Sequence, residues 1–374
     1  MNIEQIAASA FTKRRGRNGL NRHIHFHATD LNIRENVILA PLTTLEVGGP
    51  ARYFVRCETE NDVVDAFDLA RDKNIPVFVL GGGSNIVVSD GGFDGLVVQI
   101  ALMSISIDGA SVIAAAGENW DSLVAQCVEK NLAGIECLSG IPGTVGGTPI
   151  QNVGAYGQEV SETIVMVRCY DRTTNSIIEL SCADCGFAYR TSIFNTTERD
   201  RYVVLSVTYS LIENGPPKIV YKDLIEHFAG QKPTLAETRD AVRSIRRSKS
   251  MVIESDDENR RSVGSFFKNP VVDREKFEQI AGHSHSPVPH FPVADEIVKI
   301  PAAWLIEHAG FHKGYKRGHA GISTRHTLAI VNRGGATTAE IVSLKDEIRH
   351  IVYEKFGMDL VPEPIFVGSF DAKN

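Results

Sequence analysis

The stretch IPGTVGGTPIQNVGAYG, residues 141–157, holds five glycines and two prolines in seventeen positions. No helix interior or central strand tolerates that density, because proline removes a backbone donor and glycine is entropically costly to order. The stretch therefore reads as a long structured loop, and such loops inside compact domains usually carry function. Toward the N-terminus a second glycine-rich turn, LGGGSNIVV at 80–88, closes the apolar run Ile75-Pro76-Val77-Phe78-Val79-Leu80. Backbone without Cβ atoms lets amide N–H groups approach an anion, so both segments are candidates to cradle phosphate. Neither is a dinucleotide fingerprint. A GxGxxG motif starting at Gly81 would need glycine where Ile86 stands, and Ser84-Asn85 occupies the place where a helix should open.

Farther out, the pattern alternates. Thr59 to Asp62 resembles a capping box, followed by Val63, Val64 and Phe67 on one helical face. Strands are expected at 75–80, 96–100 and 111–116. Asn119 then caps a helix with the stripe Trp120, Leu123, Val124, Cys127 and Val128. Further strands are expected at 163–170, 176–180 and 202–212. A C-terminal helix bears Ile341, Leu344, Ile348, Ile351 and Val352 and stops at Gly357, before a last strand near 364–367. Strands and helices without strict βαβ regularity indicate an α+β chain rather than a doubly wound sheet. A seam is expected at 230–262, where Arg243, Arg246, Arg247 and Lys249 precede Glu254, Asp256, Asp257 and Glu258. That charge run reads as a solvated loop.

Bulk properties exclude several classes. A length of 374 residues allows two or three cores. The net charge of −7 argues against a nucleic-acid binder. No apolar run approaches the roughly 20 residues of a membrane span, and the first residues lack a signal-peptide pattern. A cytoplasmic, monomeric protein is expected. The six cysteines offer one CxxC, Cys182 and Cys185, without a second to complete a zinc site. Reduced thiols are expected. His23, His25 and His27 alternate in a polar, basic segment and would share one strand face, but nothing completes a metal-ligand set.

Five blocks, LGGGSNIVV (80–88), AGENW (116–120), IPGTVGGTPIQNVGAYG (141–157), FAYRTSIF (187–194) and GSFFKNP (264–270), stand in one order. Together they resemble the UDP-N-acetylenolpyruvoylglucosamine reductases, the MurB family, across about residues 40–370. The resemblance implies an FAD-binding domain of the vanillyl-alcohol-oxidase type made of two α+β subdomains, then a smaller α+β substrate domain. On this sequence the expected divisions are an extension at 1–38, an FAD domain at 39–245 (subdomains 39–103 and 104–245) and a substrate domain at 246–374.

The resemblance also implies site residues. Arg190 is the expected active-site arginine, Ser265 the proton donor and Glu363 the catalytic glutamate. A guanidinium suits the carboxylate of an enolpyruvyl group and the charge that builds on it. Expected flavin contacts are Arg52, Gly81, Gly82, Gly83, Ser84, Asn85, Gly117, Pro142, Gly143, Gly146, Gly147, Asn152 and Gly154. Expected substrate contacts are Tyr189, Tyr221 on a mobile loop, Lys249, Asn269 and Lys316. FAD is expected to be non-covalent, in keeping with the absence of histidine between Val77 and Glu118. The implied reaction reduces UDP-N-acetylglucosamine enolpyruvate to UDP-N-acetylmuramate. NADPH reduces FAD, and hydride then passes to the enolpyruvyl C3 while Ser265 protonates C2. Two rival readings are a flavin oxidase or dehydrogenase acting on another alcohol or sugar acid, and a non-catalytic flavin or nucleotide-sugar binder. GSFFKNP and Glu363 argue against the first. The presence of Arg190, Ser265 and Glu363 together argues against the second.

Overall fold

The computed structural model describes residues 31–282, 284 and 286–370. His23, His25 and His27 lie outside them. Parallel pairing sets up the first sheet, in which Phe93–Ile100 lies between Pro50–Cys57 and Val77–Leu80. An antiparallel edge strand, Arg34–Ile38, pairs with Pro50 to Phe54. The expected extension therefore includes one genuine strand at its end. Its alternation was masked by exposed polar residues and by Asn36 at φ 55°. Thr59 caps the helix Glu60–Asp72 through a reciprocal box with Asp62, and Val63, Ala66, Phe67, Leu69 and Ala70 are buried along it.

The second sheet is wholly antiparallel, in the order Ser176–Ser181, Ile164–Asp171, Tyr202–Ser210, Ser111–Ala115, Ile105–Asp108. Asn119 accepts from the Ser122 amide and starts the helix Trp120–Glu129. Trp120 is buried and donates from Nε1 to the Leu138 carbonyl, which pins the beginning of the 141–157 segment. That segment is a run of turns with a short 3-10 piece at Val145–Gly147 and a two-residue strand at Gly154–Ala155. No long regular element interrupts it, as its glycine and proline content requires.

Two three-stranded sheets and the helix Thr338–Phe356, stopped by Gly357 at φ 58°, enclose the third core. Phe266, Phe267, Leu305, Ile306, Ile341, Leu344 and Ile348 fill it, and Leu45, Val47 and Val87 join it from the early chain. The strand Ile365–Val367 pairs in parallel with Ile86–Val88, directly after the first glycine turn. The charge run expected as a solvated loop is in part helix. The helix Leu235–Ser248 runs across the boundary expected at 245, and Arg246 is buried on it. All six cysteines are free. Burial pushes the thiols of Cys57, Cys127 and Cys185 up to about 12, so they are poor nucleophiles. Among the described residues no His/Cys/Asp/Glu cluster suits a metal, and no helix is long and apolar enough to cross a membrane.

Candidate active site

A cavity of about 1060 Å³ runs between the two glycine segments and the third core. On one wall the backbone itself faces inward. Gly83 has φ +64°, and a Cβ there would lie 2.1 Å from the Leu42 carbonyl oxygen, so only glycine fits. A Cβ on Gly82 would come within 2.8 Å of the Gly143 Cα, which shows how closely the two segments meet. Ser84 Oγ donates to the Pro142 carbonyl at 3.2 Å, and Asn85 Nδ2 donates to Gln151 Oε1 at 2.9 Å. At Gly147 a Cβ would meet nothing within 4 Å, although the residue lines the cavity. A side chain there would occupy ligand space.

The facing wall is built of charged side chains. A short ladder creates it: Phe266 and Phe267 are buried, Glu363 N donates to the Phe266 carbonyl at 3.0 Å, and Lys268 N donates to Val361 at 2.9 Å. Ser265 and Glu363 consequently line the same cavity, although they come from distant parts of the chain. Glu363 is further tied to the glycine wall, since Asn85 Nδ2 also donates to its carbonyl at 3.3 Å. Arg190 lies at φ 53°, in the left-handed region rarely used by long side chains. Its Nη2 donates to the Gly154 carbonyl at 2.5 Å, and its Nε sits 3.4 Å from Glu363 Oε1. Burial pushes the Glu363 carboxyl above the usual range, while Arg190 and Lys268 pull it back. The arrangement is a partly desolvated carboxyl, a guanidinium and a hydroxyl around one space.

Thirteen of the expected residues line this cavity: Gly81, Gly82, Gly83, Ser84, Asn85, Pro142, Gly143, Gly146, Gly147, Gly154, Arg190, Ser265 and Glu363. The others are placed elsewhere. Arg52 pairs with Asp94 at 3.1 Å on an exposed strand face. Gly117 is a packing glycine, because a Cβ would be 2.6 Å from the Leu102 backbone. Asn152 braces the Arg190 turn by donating to Glu159 Oε2 and to the Ala188 carbonyl, at 2.8 and 3.1 Å. Tyr189 stacks under Lys299, with Nζ 4.6 Å from its ring centroid. Asn269 accepts from the Ala302 amide at 2.9 Å. Tyr221 meets Tyr156 edge-on at 5.3 Å, and Lys249 pairs with Asp223 at 2.8 Å on the adjoining helix Lys222–Phe228. Lys316 is exposed on a hairpin with Ala320–Ile322.

Five cations on the cavity wall were not among the expected site residues: Arg172, Arg199, Arg246, Arg260 and Lys268. Lys268 stands within the quoted GSFFKNP block. Arg246 was absorbed into the charged run, yet it is buried, its Nη2 donates to the Met251 carbonyl at 2.7 Å, and its Nε has no hydrogen-bond partner.

Comparison with known proteins agrees with this geometry. Residues 51–181 match the family model for an FAD binding domain, and residues 256–367 match that for the C-terminal domain of UDP-N-acetylenolpyruvoylglucosamine reductase. The chain is 47% identical over 349 residues to the UDP-N-acetylenolpyruvoylglucosamine reductase of Thermobifida fusca, covering 89% of this chain and 97% of that one. It is 46% identical to the enzyme of the same name from Streptomyces coelicolor, over 88% of this chain and 89% of that one. The crystal structure of the Thermus caldophilus reductase superimposes with a TM-score of 0.65 at 25% identity, covering 90% of this chain and all of that one. With two family models matched in order, and relatives nearly half identical along almost their whole length, the chain belongs to the UDP-N-acetylenolpyruvoylglucosamine reductases.

Proposed function

We propose that this protein reduces UDP-N-acetylglucosamine enolpyruvate to UDP-N-acetylmuramate, a step of peptidoglycan precursor synthesis, using non-covalent FAD and NADPH. The observation that carries the reading is the convergence of Arg190, Ser265 and Glu363 on one wall of a cavity whose other wall is glycine backbone. The cavity's residues fit a flavin dinucleotide. Gly82 and Gly143 bring bare backbone together, and Gly147 leaves room that any side chain would fill. When bound, FAD supplies the hydride chemistry.

The protein's own residues supply position, charge and a proton. Arg190 holds the enolpyruvyl carboxylate and stabilises the negative charge that develops on it during reduction. Its guanidinium is aimed through Nη2 by the Gly154 carbonyl and through Nε by Glu363, so little reorganisation is needed. Ser265 delivers the proton to the enolpyruvyl C2. A serine hydroxyl is a weak acid, so it must sit beside the developing carbanion; the ladder from Phe266 to Lys268, which sets the adjoining backbone at the cavity wall, supports that role. Glu363, with its carboxyl raised by burial, is poised to share or hold a proton near that centre. Tyr221 and Lys249 sit on and beside the same helix and form an outer cluster with Tyr156, suited to the sugar nucleotide's diphosphate.

The test is anaerobic. NADPH should bleach the flavin band of the purified protein at about 450 nm. Adding UDP-N-acetylglucosamine enolpyruvate should restore the band with formation of UDP-N-acetylmuramate. A reduced protein that only dioxygen can reoxidise would retain the flavin site and remove the substrate.

A further inference from the structure

Ser265 has a partner that the reading above does not use. His326 is outside the cavity wall, but its Nε2 lies 3.4 Å from Ser265 Oγ. The backbone that carries the imidazole is held at both ends: the His326 amide donates to Ser323 Oγ at 3.2 Å, and its carbonyl accepts from the Ala329 amide at 3.1 Å. Burial together with Lys249, Lys313 and Arg246 pushes the imidazole pKa down to about 4, with Glu307 opposing them. The ring is therefore neutral near pH 7, with one N–H and one lone pair.

The direction of the hydrogen bond follows from what Ser265 must do. If Nε2 accepted from the hydroxyl, the only acidic hydrogen of Ser265 would point away from the cavity. If Nε2–H donates, one Oγ lone pair is occupied and the hydroxyl hydrogen is left for the substrate. A donor on Oγ also stabilises the alkoxide character that builds as the proton departs. We propose that His326 is the positioning residue of Ser265, donating from Nε2–H to Oγ so that the hydroxyl hydrogen is aimed at the substrate carbon, and then restoring that hydrogen. This rests on the reaction proposed above. The serine O–H bond breaks as the carbon–hydrogen bond forms on the electron pair at C2. Oγ takes the Nε2 hydrogen, and Nδ1 takes a proton from solvent. One proton thus passes from solvent to product; the ring ends neutral with its hydrogen on Nδ1, and proton exchange with solvent returns it to Nε2. The 3.4 Å separation is at the long end for a hydrogen bond, and such contacts tighten in the substrate complex.

The experiment separates the two half-reactions in FAD-loaded wild type, His326→Ala and His326→Gln. Reduction by NADPH should proceed at the wild-type rate in all three. Reoxidation by UDP-N-acetylglucosamine enolpyruvate should slow by about 10²-fold in His326→Ala. His326→Gln, whose side-chain amide can donate to Oγ, should recover part of that loss. Equal slowing of both halves would make His326 structural and overturn the proposal, as would unchanged reoxidation in His326→Ala. Imidazole ¹⁵N NMR tests the contact without substrate: Nε2 should carry the hydrogen and its signal should move in Ser265→Ala. The opposite tautomer or an unmoved signal overturns the proposal. A wild type that the enolpyruvyl substrate never reoxidises would instead sink the proposed reaction, and the NMR result would still decide whether His326 donates to Ser265.

Discussion

Along residues 81–85 and 142–147 the cavity wall is largely glycine backbone, and the Ser84 and Asn85 side chains are turned into hydrogen bonds with Pro142 and Gln151. Along Arg190, Ser265 and Glu363 the wall is side chain, half-desolvated and of mixed charge. The first wall works by leaving space, so damage to it should be steric and should appear in how well a ligand is retained. The second works by charge in a poorly hydrated setting, where an interaction is worth more than in water. Damage to it should appear in turnover with the ligand still in place.

The largest expected effect tests the charged wall. Arg190→Met should lower turnover by about 10²–10³-fold while the flavin content per mole of protein stays at the wild-type level. Flavin lost in step with turnover would erase the distinction between the walls. Next comes the backbone wall. Gly147→Leu places its side chain in open cavity space, so flavin retention should weaken by about 1–3 kcal/mol while thermal stability is kept. Gly146→Ala is its counterpart, because a Cβ there would lie 2.7 Å from Ala116 Cβ. It should lower the melting temperature instead. Equilibrium flavin titration and calorimetry on both variants separate the two outcomes.

The smallest effect lies off both walls. Asp171 accepts from Arg201 at 3.1 and 2.8 Å and from the Thr173 amide, and the Arg201 guanidinium holds its carboxyl down at about 2. A depressed carboxylate stabilises the fold above its unfolded pKa, and that contribution is lost as pH falls through the folded value. Asp171→Asn should therefore cost about 1 kcal/mol at pH 7, allowing for screening of the partly exposed arginine. The gap to wild type should close between about pH 4 and pH 2 in denaturant titrations. Turnover at neutral pH should not change.

Much of this was legible in the chain. The box at Thr59 and Asp62, the cap at Asn119 and the stop at Gly357 are local signals, and they begin or end the helices they foretold. Residues 141–157 could only be turns. What sequence could not show was distance. The ladder that brings Glu363 beside Ser265, and the parallel pairing of Ile365–Val367 with Ile86–Val88, join segments that no local pattern connects. The burial of Arg246 was available but overlooked. Leu235, Thr238, Arg239, Val242 and Arg246 repeat at helical spacing and share the buried face, so the run was amphipathic rather than uniformly solvated.

The bond from Asn85 to the Glu363 carbonyl spans 278 residues, roughly 15–55 s of ribosomal synthesis at 5–20 residues per second. Until that delay ends, the glycine turn is followed by a strand, Ile86–Val88, that still lacks its partner Ile365–Val367. An unpaired apolar strand edge is an invitation to misassociation, so the nascent protein is most exposed to aggregation or chaperone capture in this interval. The same delay acts as a safeguard. A chain released early could fold its first two sheets yet would lack Glu363, leaving an incomplete enzyme rather than a misdirected one.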